Sequence, residues 1–159
     1  MKRVFVIALM LGLASGGMGV AAEEGSHMHE MMMEGGEGAK NDSRTELKLP
    51  AMMKTMQKRM MREHLNTVSE ITAMLASNDL KKAAEAASVK LGWNEDEEAR
   101  CEKVSEVTGE RDFVALGKAM HTKADELSDA AKAGKRDEAL VRLSELIKNC
   151  NACHDRFRH

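Results

Sequence analysis

Apolar residues recur every three to four positions along most of the chain after Pro50, which is the period of an amphipathic helix. The pattern predicts a first long helix from Pro50 to about Ala76, because proline is tolerated in a helix's first turn. One face of this helix is wide and apolar, as in a helix that packs against others. The residues on that face are Met61, His64, Val68, Ile71 and Leu75.

The same period predicts a second helix to about Leu91, a third that ends at Gly134 and a fourth at the C-terminus. A shorter helix is expected between Asn94 and Gly109, where a capping residue precedes four acidic residues. The fourth helix has the clearest period, with Leu140, Leu143, Ile147, Cys150, His154 and Phe157 on one face. Four amphipathic helices with short or moderate connections predict an all-α fold, an antiparallel four-helix bundle over residues 47–159.

Composition narrows the fold class and the partners. The chain of 159 residues is 43% hydrophobic but only 3% aromatic, with one Pro and no Tyr. Strands favour aromatic and β-branched residues, and their turns favour Pro and Gly, so this composition argues against a sandwich or a barrel. The 24 basic and 26 acidic residues give a formal net charge of −2, which supplies no basic field for a nucleic-acid backbone. Nucleic acid is therefore not an expected partner.

The first 22 residues have the three parts of a secretory signal peptide. Lys2 and Arg3 precede an apolar run, and small residues follow up to Ala22. The apolar core is about half of the roughly 20 residues that a membrane span needs, so a transmembrane anchor is the weaker interpretation. We predict export to the periplasm with cleavage after about Ala22, and we expect no membrane span in the remainder of the chain.

Residues 23–46 are acidic, rich in Gly and almost free of Leu, Ile, Val and Phe. Little apolar surface is available to offset the entropy of ordering them, which predicts a disordered tail. The run from His27 to Met33 crowds imidazoles and thioethers, which are ligands for Cu(II) and Cu(I). The tail is therefore a candidate copper-binding segment, and the alternative is a solvated linker without a ligand.

The strongest chemical signal lies near the C-terminus, where Cys150 and Cys153 are followed by His154. This CxxCH spacing is the attachment signature of c-type haem. Two thiols add to two vinyl groups on one porphyrin edge, and the adjacent imidazole reaches the iron as the proximal ligand. A chance occurrence, a redox-active disulfide and a zinc site compete with this interpretation, but export and the lack of a fourth zinc ligand nearby favour haem. We predict one covalently attached haem c per chain.

The position of the motif restricts the fold, because only five residues follow His154 and the haem must be enclosed by the residues that precede it. The stretch Cys150–Arg158, with the helical pattern from about Leu49 onwards, resembles the class II c-type cytochromes, the cytochrome c′ group. This resemblance implies a haem attached to the last helix of a four-helix bundle. It implies periplasmic electron transfer or, in some members, binding of nitric oxide, and it suggests a homodimer through the first two helices.

The resemblance also implies that the first helix supplies the distal side of the haem. In the family that this chain resembles, members with an apolar distal residue look five-coordinate and gas-binding. Members with Met at that position look six-coordinate and carry electrons. We favour Met61 as the distal ligand because it lies on the inward face, at about the depth of the family's distal residue. The alternatives are Met60, Met53 and His64, and packing remains the usual role of a helical Met stripe.

Two further residues are expected to be structural: His121 as a partly exposed surface residue and Cys101 as a small buried apolar residue. Together the patterns favour an exported monohaem cytochrome that carries single electrons between redox partner proteins and is not an enzyme. Two alternatives remain open. One is a five-coordinate haem protein that binds nitric oxide or another small gas, and the other is a periplasmic copper-handling protein that uses the tail.

Overall fold

Five helices and two short strands make up residues 42–159, the part of the chain that this computed structural model describes. The predicted signal peptide, the cleavage position and the His/Met-rich run of the tail lie outside these residues. In chain order the elements are β1 (Thr45–Glu46), α1 (Ala51–Ala76), α2 (Leu80–Leu91), α3 (Glu95–Thr108), α4 (Asp112–Lys132), α5 (Arg136–Arg156) and β2 (Phe157–Arg158). None of the helices in this part of the chain is long and apolar enough to cross a membrane.

The helix boundaries follow the capping residues in the sequence. Pro50 directly precedes α1, as expected for its position. The side chain of Asp79 accepts a hydrogen bond from the Lys82 amide at 3.3 Å and caps α2. Asn94 caps α3 in the same way, and Gly109 ends α3 in the left-handed conformation with a φ of 80°. The local turn chemistry therefore explains where the chain changes direction.

Helices α1, α2, α4 and α5 form the bundle, and α3 is the helix that joins α2 to α4. Helix α4 is central, because it packs against α5, α2 and α3. Helix α1 packs along α2 but approaches α5 much less closely. The predicted all-α four-helix bundle is confirmed.

The main core lies where α2 packs against α1 and α4. Its large side chains are Ile71, Leu75, Leu91, Leu127 and Leu146, all at most 1% exposed. Alanines on α2 and α4 fill the space between them, and small side chains let the helix backbones approach closely. We call this region the closed core.

A second, smaller cluster lies at the other end of the domain and contains Leu47, Cys101, Val104, Phe113 and Phe157. Strand β1 pairs in parallel with β2, and the Leu47 amide donates to the carbonyl of Arg158 at 2.8 Å. Thr45 and Glu46, which the sequence analysis assigned to the tail, therefore belong to the folded domain. The pairing buries Leu47 and Phe157, and it ties the start of the domain to the end of α5.

The predicted apolar face of α5 is only partly correct. Leu143 is buried, but Leu140 and Ile147 are 38% and 40% exposed. Ala139 and Leu146 are buried instead, because they belong to the closed core. Ile147 lines a cavity beside α5, and its exposure is exposure to that cavity.

Candidate functional site

A cavity of about 450 Å³ lies between the closed core and the second cluster. Its lining is mostly apolar and comes from α1, α3, α4 and α5. The volume is within the range of protein sites for small molecules and cofactors. This cavity separates α1 from α5 over part of their length, which explains why these two helices approach each other less closely than α1 and α2 do.

Helix α5 brings Cys150, Cys153 and His154 to the cavity together. They lie three and four positions apart in the last two turns of α5, so they share one face of the helix. Phe157 follows them, is 3% exposed and contacts the ring of Phe113 at a centroid distance of 5.8 Å. This contact and the β1–β2 pairing anchor the end of the helix that carries the motif.

The two thiols of the motif are half-buried and unpaired by any disulfide. Burial, followed by the neighbouring Cys150, raises the pKa of Cys153 to about 11. Burial also raises the pKa of Cys150. Both groups are therefore protonated thiols at neutral pH, and each carries the hydrogen that addition to a carbon–carbon double bond requires.

Helix α1 carries all four residues proposed for the distal position, and it brings three of them to the cavity. Met60, Met61 and His64 line the cavity, whereas Met53 packs against the second cluster. The sulfur of Met60 also accepts a hydrogen bond from Nη1 of Arg100 at 3.2 Å. Of the two α1 thioethers at the cavity, that of Met61 has no such partner among the described residues.

His64 is half-buried at the cavity wall. Burial, followed by the charges of His121 and Arg100, lowers the pKa of His64 to about 4. Its imidazole is therefore neutral at pH 7. The rings of His64 and His121 meet edge to face with their centroids 5.5 Å apart.

The expectation that His121 lies at the surface is wrong, since it is 2% exposed. Its Nδ1 lies 2.8 Å from the carbonyl oxygen of Leu91, and its Nε2 lies 3.6 Å from Oε2 of Glu97. Trp93 covers it, with the ring centroids 5.7 Å apart. The reason is the central position of α4, which is covered on several sides and therefore buries more than one stripe of residues.

Sequence reasoning also missed Glu97, which is 7% exposed although it lies in the acidic first turn of α3. Its partner is Arg100, whose Nη2 contacts Oε1. A signal was present, because Glu97, Cys101 and Val104 recur at helical spacing on the apolar face of α3. The acidic composition of the turn obscured that spacing.

Cys101 behaves as expected, since it is 6% exposed and packs in the second cluster. Burial, then the charges of Glu97 and Cys153, raise its pKa to about 11. It faces Gly117 of α4, where an added Cβ would lie 2.7 Å from the sulfur of Cys101. Glycine at this position therefore permits the close approach of α3 and α4 beside the cavity.

The donor set fits the cofactor that the motif predicts. Two protonated thiols and an imidazole lie on one helix face at the edge of an apolar cavity, which matches the needs of a covalently attached haem. Neither a zinc site nor a thioredoxin-like site accounts for the large apolar cavity beside these three residues.

The family model described as Cytochrome C′ matches residues 48–158 of this chain. The matched range contains all five helices and every residue that lines the cavity. Comparison with curated proteins and with solved structures gives no match.

Proposed function

The chain belongs to the cytochrome c′ family, and from this premise we propose that it is an exported monohaem electron carrier rather than an enzyme. The main support is the cavity, whose walls include the CxxCH residues of α5 and the thioether of Met61 on α1. Haem iron, when bound, gains and loses one electron between its Fe(III) and Fe(II) states. The residues of this chain hold the haem and exclude water from it.

In this proposal Cys150 and Cys153 attach the haem covalently. They would hold the haem through their sulfurs, and each thiol would supply both the sulfur and the hydrogen that one vinyl group takes up. His154 follows directly and supplies the proximal imidazole. The apolar side chains at the cavity reduce access of water to the iron, which stabilises the less charged reduced state.

Met61 supplies the distal ligand in this proposal. The other three candidates have other contacts: Met53 packs against the second cluster, and Met60 accepts a hydrogen bond from Arg100. His64 packs edge to face on His121. A thioether opposite an imidazole raises the reduction potential of the iron, which suits an electron carrier.

Export and partners complete the proposal. The N-terminal sequence has the parts of a signal peptide, and covalent haem attachment accords with a periplasmic protein. The electrons would be exchanged with redox partner proteins. A homodimer through α1 and α2 accords with the exposed apolar side chains Met52, Met56 and Val89 on these helices.

An optical spectrum tests the distal assignment. We expect the oxidised wild-type protein to be low-spin, with a weak charge-transfer band from the Met–Fe(III) bond. Met61→Leu should become high-spin and lose the band, because leucine offers no lone pair. Met60→Leu, the matched change at the neighbouring position, should keep the wild-type spectrum. A high-spin, five-coordinate wild-type protein would contradict the electron-carrier proposal and favour binding of nitric oxide.

A further inference from the structure

Three helices bring three metal-ligand side chains together beside the cavity. His64 comes from α1, Glu97 from α3 and His121 from α4. One donor atom of each lies within 4.8 Å of the other two. Glu97 and His121 are buried, and His64 is half-buried on the cavity side. The cluster is distinct from the haem-attachment residues, all of which lie on α5.

The hydrogen bond of His121 determines which of its ring nitrogens is available to bind a metal ion. A carbonyl oxygen can only accept, so Nδ1 must carry the hydrogen that it donates to Leu91 at 2.8 Å. In the neutral ring Nε2 is then a lone-pair acceptor, and it faces Oε2 of Glu97 at 3.6 Å. Two acceptors that face each other in a buried site need either a proton on Nε2 or a metal cation between them.

The contacts of Glu97 likewise determine which of its oxygens is available. Arg100 contacts its Oε1, so Oε2 is the oxygen that remains for His121. The backbone carbonyl of Leu91 and the guanidinium of Arg100 therefore orient one ligand each, as outer partners commonly do around metal ligands. His64 approaches from the third side, half-buried at the cavity wall, with one ring nitrogen within 4.8 Å of the other two ligand atoms.

We propose that His64, Glu97 and His121 bind one divalent transition-metal ion, separate from the haem iron, through two imidazoles and one carboxylate. Neighbouring ligand atoms of a tetrahedral zinc lie about 3.4 Å apart, because each is about 2.0–2.2 Å from the metal. The separation of 3.6 Å between His121 and Glu97 agrees with this geometry. His64 completes the set by turning its ring.

The ligand types select the class of metal. Two imidazoles and one carboxylate suit Zn²⁺, and the same set with open positions suits Fe²⁺. All three ligands also line the cavity, so a bound metal would lie at the wall of the space that the haem would occupy. The site thus places a second metal beside the haem, and the proposal stands whether the protein carries electrons or binds a gas.

Zinc content of the full-length haem protein tests the site. The protein is equilibrated with Zn²⁺, dialysed against metal-free buffer, and analysed for zinc and haem iron. Wild type should retain one more zinc per haem than Glu97→Gln, because the variant loses a ligand, and even the loss of a ligand's outer partner costs about 10–100-fold in metal affinity. Glu102→Gln changes an exposed carboxylate on the same helix and should retain as much zinc as wild type. The N-terminal tail is common to all variants, so zinc bound there cancels from the comparison.

A second variant covers the case in which Glu97→Gln does not fold, and X-ray absorption identifies the atoms that bind the zinc. If Glu97→Gln does not fold, His64→Gln, at the more exposed ligand, should show the same loss of one zinc. The zinc absorption spectrum of wild type should contain imidazole scattering and no sulfur ligands. Equal zinc content in wild type and a folded ligand variant, or zinc bound by sulfur, would overturn the proposal. Either result would indicate that a proton on His121 satisfies the Glu97 carboxylate instead.

Discussion

The closed core and the cavity are built from the same helices but differ in how their side chains are covered. In the closed core, leucines such as Leu75 and Leu127 are 0% exposed. At the cavity, Leu65 is 69% and Ile147 is 40% exposed, although both line an apolar space. Met60, Met61 and several histidines occur at the cavity wall, whereas the closed core is mostly alanine and leucine.

This difference indicates that one region of the bundle stabilises the fold and the other holds a ligand. Residues in the closed core bury each other and stabilise the fold without a ligand. Apolar side chains at the cavity have no protein partner to bury them, and a planar hydrophobic cofactor would cover this surface. Variants of the two regions should therefore respond differently to the presence of haem.

The largest expected effect follows removal of both motif thiols. In Cys150→Ala/Cys153→Ala no sulfur remains on α5 to form a bond to haem, so covalently bound haem should be lost completely. Haem staining after denaturing electrophoresis measures this directly. Cys101→Ala is the matched control, because Cys101 lies on α3 in the second cluster, and it should stain as wild type does. Staining of the double variant would contradict the attachment proposal.

The next largest effect is on the free energy of unfolding, and it differs between a leucine of the closed core and a leucine at the cavity wall. Leu127→Ala should lower the free energy of unfolding by about 2–5 kcal/mol, since it leaves a cavity in a closed core. In the double-cysteine variant, extracted to remove any non-covalently bound haem, Leu65→Ala should change the free energy of unfolding by no more than about 0.5 kcal/mol, because Leu65 is already exposed.

Urea unfolding with and without haem sharpens this comparison. With haem bound, Leu65→Ala should cost about 1 kcal/mol more, because the cofactor buries the side chain. The cost of Leu127→Ala should be the same in both forms. Equal effects of Leu65→Ala in both forms would show that haem does not cover this wall of the cavity.

A smaller effect is the pH dependence of stability, which should come from His64 at the cavity wall. Burial lowers the pKa of His64 from 6.5 to about 4, so below pH 6.5 the unfolded chain takes up a proton more readily than the folded chain. Stability should therefore fall between pH 6.5 and pH 4, by at most about 3 kcal/mol for this group. Above pH 6.5 the group is neutral in both states and should have no effect.

The measurement compares the haem-free variant with and without His64→Gln, by urea unfolding at several pH values in the presence of a chelator. Glutamine does not titrate, so the stability difference between the two proteins should change between pH 6.5 and pH 4 and remain constant above that range. A constant difference across the whole range would contradict the lowered pKa.

Much of the fold could be predicted from local signals. The ends of α3 could be predicted because Asn94 and Gly109 interact with the backbone next to them in the sequence. The helical period identified the buried faces of α1 and α4, including Ile71 and Leu127. The CxxCH motif placed the candidate site on the last helix, and its residues do line a cavity.

The errors share a physical cause, which is contact between distant parts of the chain. Thr45 pairs with Phe157 across more than a hundred residues, and no local pattern reports such a pairing. His121 and Glu97 are polar, so a binary pattern assigns them to solvent. His121 is buried because its partner, the carbonyl of Leu91, lies on another helix, and only the tertiary structure brings the two together. Glu97 has a local partner in Arg100, but it is buried where α3 meets His121 of α4.

The smallest predicted effect concerns the contact of α3 with α4 beside the cavity. A methyl group at Gly117 would lie 2.7 Å from the sulfur of Cys101, which is too close without a shift of one helix. Overpacking costs about 1–3 kcal/mol, and replacing a helical glycine by alanine regains about 1 kcal/mol, so Gly117→Ala should destabilise by about 1 kcal/mol. In a Cys101→Ala background the sulfur is absent, and Gly117→Ala should become neutral or stabilising. A double-mutant cycle by urea unfolding measures this coupling, and additive effects would show that the two helices are not in contact at this point.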